Sequence, residues 1–446
     1  MTHGARGDVP ESRPARPVAI AGLLVVLSLA LLAPASAALT GSDDGSRLRT
    51  AGGAVVAEAV TGGVWHGSWA AGMVSPPDAS GIGFAGQTVR MVAHLSIGGA
   101  AVRVRLANTF GLMPVTFDSV HVGRAATGGA VEAGSNRPVT FDRSRSVTIP
   151  AGRRLVSDPV DLAAPAGGDL AVSLHIPADS AGPATWHPNA RATTYVSGIG
   201  DYAAVESGAS YSPSSYSWFY LDGVDVRTEA EGTIVAFGDS ITDGAASTLD
   251  ANRRYPDRLA ARLRGAGIAR SVVNTGIGGN RMLAEGVHYG QSAADRFERD
   301  ALAQTGVTHV IVLVGVNDIG RGPHVTADEL IAGHRELIRQ ARAEGRRIYG
   351  GTLLPYQGAA YHTEQGERTR QAVNRWIRTS GAYDAMIDFD AAIRDPAEPA
   401  RMLPGYDSGD HLHPSDAGHQ AMADAVDLEL FHSVAAAAGR APAGAR

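Results

Sequence analysis

The sequence predicts a two-part α/β chain: an all-β sandwich of the jelly-roll sort over residues 55–230, then a three-layer α/β/α unit over residues 232–432 built on a parallel sheet. Three observations carry this. The first half is filled by short alternating runs punctuated by Gly, Pro, Asp and Asn. In the second half, continuous apolar runs of strand length alternate with helical patterns. At 446 residues the chain is long for one core and comfortable for two.

At the N-terminus, Arg6, Arg13 and Arg16 precede an apolar run from Val18 to Leu32 and the small residues Ala35-Ser36-Ala37. That is the pattern of a secretory signal peptide, residues 1–37, cleaved after Ala37, so the mature chain is expected to be secreted into the extracellular space. The run is short for a membrane span, so no stable membrane insertion is expected after cleavage; a retained anchor is the alternative. No adjacent Arg-Arg pair marks the twin-arginine route. Residues 38–54, rich in Gly, Ser and Asp, read as a flexible leader, and residues 433–446 as a disordered tail.

Composition narrows the chemistry. A formal net charge of −6 and 19% charged residues leave no nucleic-acid footprint. Every basic residue is Arg, and the chain holds neither Lys nor Cys. Cysteine nucleophiles, Cys-ligated metals, disulfides and Ser–Lys dyads are therefore excluded. A hydrolase built from this sequence must use Ser, Thr, His or carboxylates.

Within 55–230, Val89, Met91, Ala93 and Leu95 alternate with polar residues, Gly98-Gly99 follows, and Val102, Val104 and Leu106 alternate in turn, which reads as a hairpin. Shorter runs follow at 115–117, 120–122, 139–141, 147–149, 156–160 and 170–176. Trp65, Trp69, Trp186 and the segment Tyr211–Tyr220 have two readings, stacking on sugar rings or packing in a core.

From Gly232 onward, strand-like runs at 234–237, 272–274, 308–314, 347–354 and 385–389 are separated by helical patterns. Thr326 and Glu329 form a capping box ahead of an apolar face of Leu330, Ile331, Leu337, Ile338 and Ala341. Ser415 stands at an N-cap position before Met422, Val426 and Leu430. Five parallel strands with helices on both faces follow.

Each strand end is small or polar. Ile234–Phe237 stops at Gly238-Asp239-Ser240. Val272-Val273 runs into the loop from Asn274 to Asn280, which contains Gly276, Gly278 and Gly279, and the third strand runs into Gly315-Val316-Asn317-Asp318. Asp410-His411-Leu412-His413 lies near the C-terminus. Parallel sheets bind ligands at their carboxyl edges, so these segments converge on one site.

In those motifs the chain resembles the SGNH hydrolases, also called GDSL esterases. Ser240 in Gly-Asp-Ser, Gly279 in the glycine loop, Asn317 in the GxND motif and His413 in DxxH match the family's four signature residues in order, across about residues 232–432. The resemblance implies a flavodoxin-like three-layer fold and lipase/acylhydrolase activity. Residues 55–230 more loosely resemble the β-domain of secreted actinobacterial members similar to xylan-esterase-like proteins.

The residue types then suggest roles. A serine hydroxyl needs a base near neutral pH, a part suited to His413, with Asp410 three residues earlier to fix the imidazole tautomer; Asp407 and Asp416 are alternatives. The Ser240 and Gly279 backbone N–H groups and the Asn317 amide are the expected oxyanion donors. Asp239 and Asp243 are expected to hold the Ser240 turn through backbone hydrogen bonds. Asp388 and Asp390 are expected to cap or brace, His411 to shape the pocket, and Arg253, Arg254 and Tyr255 to lie on a solvated helix face. His411 and His419 flank His413, and the competing reading takes Asp410-x-x-His413 with His411-x-His413 as metal ligands; no cofactor or metal is otherwise expected.

The expected function is a serine esterase that hydrolyses carboxylic esters through an acyl-enzyme. No long apolar insertion supplies a lid, which favours short acyl groups such as acetyl on polysaccharide; the partner is then a polysaccharide or small ester. The alternatives are a lysophospholipase or broad lipid esterase, an acyltransferase, and a carbohydrate-binding protein with a vestigial hydrolase module.

Overall fold

The computed structural model describes residues 63–76, 83–180, 182–286, 289–322 and 325–432. The signal peptide, leader and tail lie outside the described residues. The described residues cluster as one compact unit.

The first half runs through β1 (Val64–Ala70), β2 (Gln87–His94), β3 (Ala101–Ala107), β4 (Val115–Phe117), β5 (Ser119–Arg124), β6 (Arg137–Pro138), β7 (Val147–Ile149), β8 (Arg154–Val156) and β9 (Asp169–Ile176). It continues through β10 (Trp186–His187), β11 (Thr194–Ile199), β12 (Tyr211–Ser215), β13 (Trp218–Phe219) and β14 (Leu221–Thr228). Two antiparallel sheets dominate, one ordered β1-β14-β3-β8 and the other β12-β11-β2-β9-β5-β6. Both feed one buried cluster: Val89, Met91 and Ala93 of β2 and Val172 and Leu174 of β9 share it with Val102, Val104 and Leu106 of β3 and Val224 and Val226 of β14.

The expected hairpin between β2 and β3 does not form. β2 pairs with β9 and β11, whereas β3 pairs with β14 and β8 in the other sheet. Residues 98–100 carry the chain from one sheet to the other, with the Gly99 N–H donating to Ala164 O and the Ala100 N–H to Arg227 O, both at 3.0 Å. Two strands that bury alternate residues in one core show the same sequence pattern whether they are adjacent in a sheet or face each other across the core.

The second half is a five-stranded sheet of β15 (Thr233–Gly238), β16 (Ser271–Asn274), β17 (Val307–Leu313), β18 (Arg347–Gly351) and β19 (Ala385–Ile387). The order is β16-β15-β17-β18-β19 and every pairing is parallel. Its helices are α1 (Ser240–Asp243), α2 (Tyr255–Gly265), α3 (Ala293–Phe297), α4 (Val316–Arg321), α5 (Ala327–Ala343), α6 (Glu364–Thr379), α7 (Phe389–Ile393) and α8 (Asp416–Asp424). α2, α7 and α8 pack together, and α3, α5 and α6 form a second group. This is the flavodoxin-like α/β/α arrangement. The order reverses at β15, so the switch point lies between the carboxyl ends of β15 and β17, where such sheets bind ligands.

The central strands are buried over both faces; Val310, Ile311 and Val312 have no solvent exposure. α5 carries its capping box, with the Thr326 N–H donating to Glu329 Oε2 at 2.8 Å. β18 and β19 end earlier than their apolar runs, at Gly351 and Ile387. There the Thr352 hydroxyl bonds Asp388 and the Leu353 N–H bonds the Asn374 side chain, which draws the chain out of the sheet. Asp388 caps α7, and Asp390 is bound by Arg370, Arg378 and Arg394.

The start of α2 corrects the expectation of a solvated face. Arg253 is exposed and pairs with Asp416, but Arg254 and Tyr255 are buried. The Arg254 guanidinium donates to the Ala190 carbonyl of the β region and to Asp257, and Tyr255 packs 5.3 Å from the Phe389 ring. Packing between the two halves of the unit decides this, and a single helix pattern does not register it. Replacing Ile311 by Ala at the sheet centre is expected to cost about 2–5 kcal/mol and Ile311→Val about 0.5–1.5 kcal/mol, measured by denaturant unfolding.

Candidate active site

β15 delivers Ser240. A side chain at Gly238 would strike the Leu313 carbonyl and Thr242, so only glycine lets the strand turn there. Asp239 is the N-cap of α1, accepting from the Ile241 N–H at 3.0 Å, and Ser240 is the first helical residue. Its N–H is therefore one of the amides that helix geometry leaves without an intrahelical acceptor. Asp239 is almost wholly buried; burial pushes its carboxyl up to about 7 against the pull of the Ile241 N–H, and Asp318 adds to the rise.

The loop before α8 brings in His413 and Asp410. His413 Nε2 lies 2.8 Å from Ser240 Oγ, and His413 Nδ1 lies 2.6 Å from Asp410 Oδ2. A carboxylate accepts only, so Nδ1–H donates to Asp410, and Nε2 presents its lone pair to the serine hydroxyl. Asp410 Oδ1 also accepts from the Leu412 and His413 backbone N–H groups at 2.9 and 2.8 Å. Burial alone would raise the Asp410 carboxyl, but the His413 N–H, the imidazole and the Leu412 N–H outweigh it and hold the group at about 2.

The alternative carboxylates are occupied elsewhere. Asp407 Oδ2 lies 2.6 Å from His411 Nδ1, and Asp416 accepts from Thr248 and Arg253. His411 is exposed and does not line the cleft around Ser240. His419 is buried, with its pKa lowered to about 4 by burial. Thus His411, His413 and His419 address three separate partners. Among the described residues no group of three or more His, Cys, Asp or Glu is arranged around one metal position.

Gly279 and Asn317 line the same cleft as Ser240 and His413, which has a volume of roughly 610 Å³. Gly279 has φ +73° and faces Tyr289, where a side chain would collide with the ring. Asn317, at the start of α4, is buried; its Nδ2 donates to Asn280 O at 3.1 Å, and the Tyr361 hydroxyl meets its Oδ1 at 3.4 Å. Asp318 fastens this segment by accepting from the Met282 and Leu283 N–H groups at 2.7 and 2.9 Å.

Beneath these loops sits Arg296 of α3, fully buried. It donates to Gly238 O at 2.7 Å, Thr275 O at 2.8 Å and Asn280 Oδ1 at 3.0 Å, and faces Asp300 at 3.3 Å. Burial lowers its pKa to about 10, partly offset by Asp300. Sequence reading missed Arg296, because one arginine in a helical pattern carries no mark of burial. Asn280 and Asp318 stood inside the quoted motifs, and their role in bracing the loops was the part not read.

The β region also reaches the site. Trp186, Pro188, Asn189 and Arg191 line the cleft beside Ser240 and His413. Asp243 corrects a further expectation: its carboxylate lies 3.0 Å from His187 Nε2. His187 Nδ1 is 2.6 Å from the Gly72 carbonyl, which only accepts, so Nδ1 carries a hydrogen and a proton lies between Nε2 and Asp243. Among the other aromatic candidates, Trp69 and Trp218 are buried and cross edge to face at 4.8 Å, Tyr211 and Tyr220 are buried, and Trp65 is half-buried under Arg103. Only Trp186 of the named tryptophans reaches the cleft.

A serine bonded to an imidazole at the switch point of a parallel sheet marks an acyl-transferring hydrolase. Residues 236–421 match the GDSL-like Lipase/Acylhydrolase family, and the chain carries a carboxylic ester hydrolase domain of that family there. No curated protein matches the chain. Among solved structures, it is similar to an acetylxylan esterase from Geobacillus stearothermophilus, at 24% identity over 44% of this chain and 92% of that one, with a TM-score of 0.35. It is also similar to a GDSL-like lipase from Bacteroides thetaiotaomicron, at 17% identity over 44% of this chain and 85% of that one, with a TM-score of 0.33.

Asp410 gives a pH prediction. Its folded pKa lies below the ordinary carboxylate value of about 3.9, so its contribution to stability is present above that value and is lost as pH falls through about 2. The stability gap between the parent and Asp410→Asn, measured by urea unfolding, is expected to narrow between pH 4 and pH 2.

Proposed function

We propose that the protein is a secreted serine esterase that removes short acyl groups, acetyl above all, from polysaccharide through an acyl-enzyme. The observation that carries the reading is the hydrogen-bonded line Asp410–His413–Ser240, at 2.6 and 2.8 Å, at the sheet's switch point. In this mechanism His413 Nε2 takes the Ser240 proton as Oγ attacks the ester carbonyl, and Asp410 holds the imidazole and stabilises its charged form. The oxyanion is received by the Ser240 and Gly279 N–H groups and the Asn317 Nδ2–H. His413 then gives the proton to the departing alcohol oxygen, and a water activated by the same base releases the acid.

The acyl preference follows from the cleft. It is open, and among the described residues no helical lid covers Ser240, so a long chain would gain little buried surface. Export rests on Arg6, Arg13 and Arg16 followed by Val18–Leu32 and Ala35-Ser36-Ala37. A polymeric substrate outside the cell suits an open cleft.

Initial rates on p-nitrophenyl esters from acetyl to palmitoyl, with acetylated xylan alongside, test the reading. Activity is expected to peak at acetyl, to release acetate from xylan and to vanish in Ser240→Ala. A maximum at palmitoyl would make it a lipid esterase, and an active Ser240→Ala would remove the serine mechanism. Asp410→Asn is expected to lower kcat by about 10³–10⁴, whereas Asp416→Asn retains most activity; the reverse order would reassign the carboxylate. Activity is expected to survive a chelator.

A further inference from the structure

The segment Trp186–Arg191 belongs to the β region yet forms one wall of the cleft that holds Ser240 and His413. It is held in a conformation that a free loop would leave. Asn189 and Arg191 have φ of +56° and +50°, in the left-handed region that costs a side-chain-bearing residue energy, more for Arg than for Asn.

The restraint comes from the hydrolase half. His187 is clamped between Gly72 O and Asp243. The Ala190 carbonyl accepts from buried Arg254. Arg191 Nε donates to Ser247 O at 2.8 Å, and its carbonyl accepts from the Asp250 N–H at 3.1 Å. His187, Ala190 and Arg191 are therefore bolted down, and Trp186, Pro188 and Asn189 are left partly exposed along the cleft. Such rigid, strained backbone beside a nucleophile is where pre-organised recognition is found.

The exposed groups have a definite chemistry. Trp186 stacks on Phe219 at 6.4 Å and 18°, and its Nε1–H is satisfied by Ser75 O at 3.0 Å, so what it offers a ligand is apolar ring surface. Beside it stand the Asn189 amide and the Arg191 guanidinium, which has donors beyond those spent on Ser247. An apolar plate flanked by amide and guanidinium donors suits a pyranose ring, with its C–H face on the indole and its hydroxyls toward the donors.

We propose that Trp186, Asn189 and Arg191 form the subsite for the alcohol half of the ester, specific for a glycosyl ring, so that the β region sets specificity. This rests on ester hydrolysis at Ser240, and the acyl group is then presented to Ser240 with the sugar lying against the 186–191 wall.

The test compares two acetyl esters that differ only in the alcohol, O-acetylated methyl xyloside and ethyl acetate, by acetate release. In Trp186→Ala the ratio of kcat/KM for the sugar ester to that for ethyl acetate is expected to fall about tenfold, chiefly through KM, as for loss of one stacking contact. Trp186→Phe is expected to restore most of it, and Asn189→Ala, at an exposed position, to lower it by about threefold. A ratio unchanged in both Trp186→Ala and Asn189→Ala would overturn the proposal; if Trp186→Ala does not fold by circular dichroism, Asn189→Ala decides, and an unchanged ratio there overturns it. Turnover of neither ester by the parent would instead count against the Ser240 reading. Calorimetric titration with xylotriose then decides the subsite alone: binding weakened in the variants supports it, and binding absent or unaltered overturns it.

Discussion

The geometry around Ser240 depends on one buried cation. Arg296 donates to the carbonyl that ends β15, to the Thr275 carbonyl in the loop after β16 and to the side chain of Asn280. Those are the segments that present Ser240 and Gly279, while Asn317 is tied to the same point through the Asn280 carbonyl. A guanidinium is suited to this because its donors fan out in a fixed plane, so the end of β15 and both ends of the glycine loop are set relative to one another by one rigid group. Burying it is costly, and the cost is offset by Asp300 and by the Phe237 ring 4.1 Å away. Removing the cation would leave the Thr275 carbonyl and the Asn280 amide oxygen without donors, whereas the Gly238 carbonyl keeps the Ile277 N–H at 3.1 Å, so the glycine loop is the part that would loosen.

The parallel sheet was legible because its strands are buried on both faces and read as unbroken apolar runs, and the site because each strand stops in a small or polar motif. What escaped was long-range pairing. The strands β2 and β3 carry a pattern equally suited to a hairpin and to opposite walls of a core, and only the partners β9 and β14, tens of residues away, decide between them. Arg254 and Asp243 failed for the same reason. Their partners, Ala190 and His187, lie in the other half of the chain, and local pattern holds no record of them.

Those contacts alter how the two halves relate. Had the β region been tethered alone, its contacts with the hydrolase sheet would be few and peripheral. Instead His187 binds the last residue of the helix that starts at Ser240, and the Asn274 side chain of the glycine loop donates to the Thr242 carbonyl of the same helix at 2.7 Å. That helix stands between a β-region imidazole and the loop that carries Gly279. A shift of β10 would be felt at both Ser240 and the glycine loop.

Four carboxylates surround this serine, and their environments separate their tasks. Asp239 is buried and its pKa raised, so it is poorly suited to stabilising an imidazolium, and it already serves as an N-cap. Asp318 is also raised by burial, and both its oxygens are taken by backbone amides. Asp243 is engaged by His187 Nε2 at 3.0 Å. Asp410 alone combines a low pKa with an open line to the imidazole that touches Ser240, because the His413 N–H, the imidazole itself and the Leu412 N–H keep it ionised against the effect of burial. A carboxylate that stays charged while its histidine gains a proton is what a general base requires beside it. Position in sequence brings all four carboxylates near the serine, but dielectric and hydrogen bonding leave Asp410 as the one fit for that part.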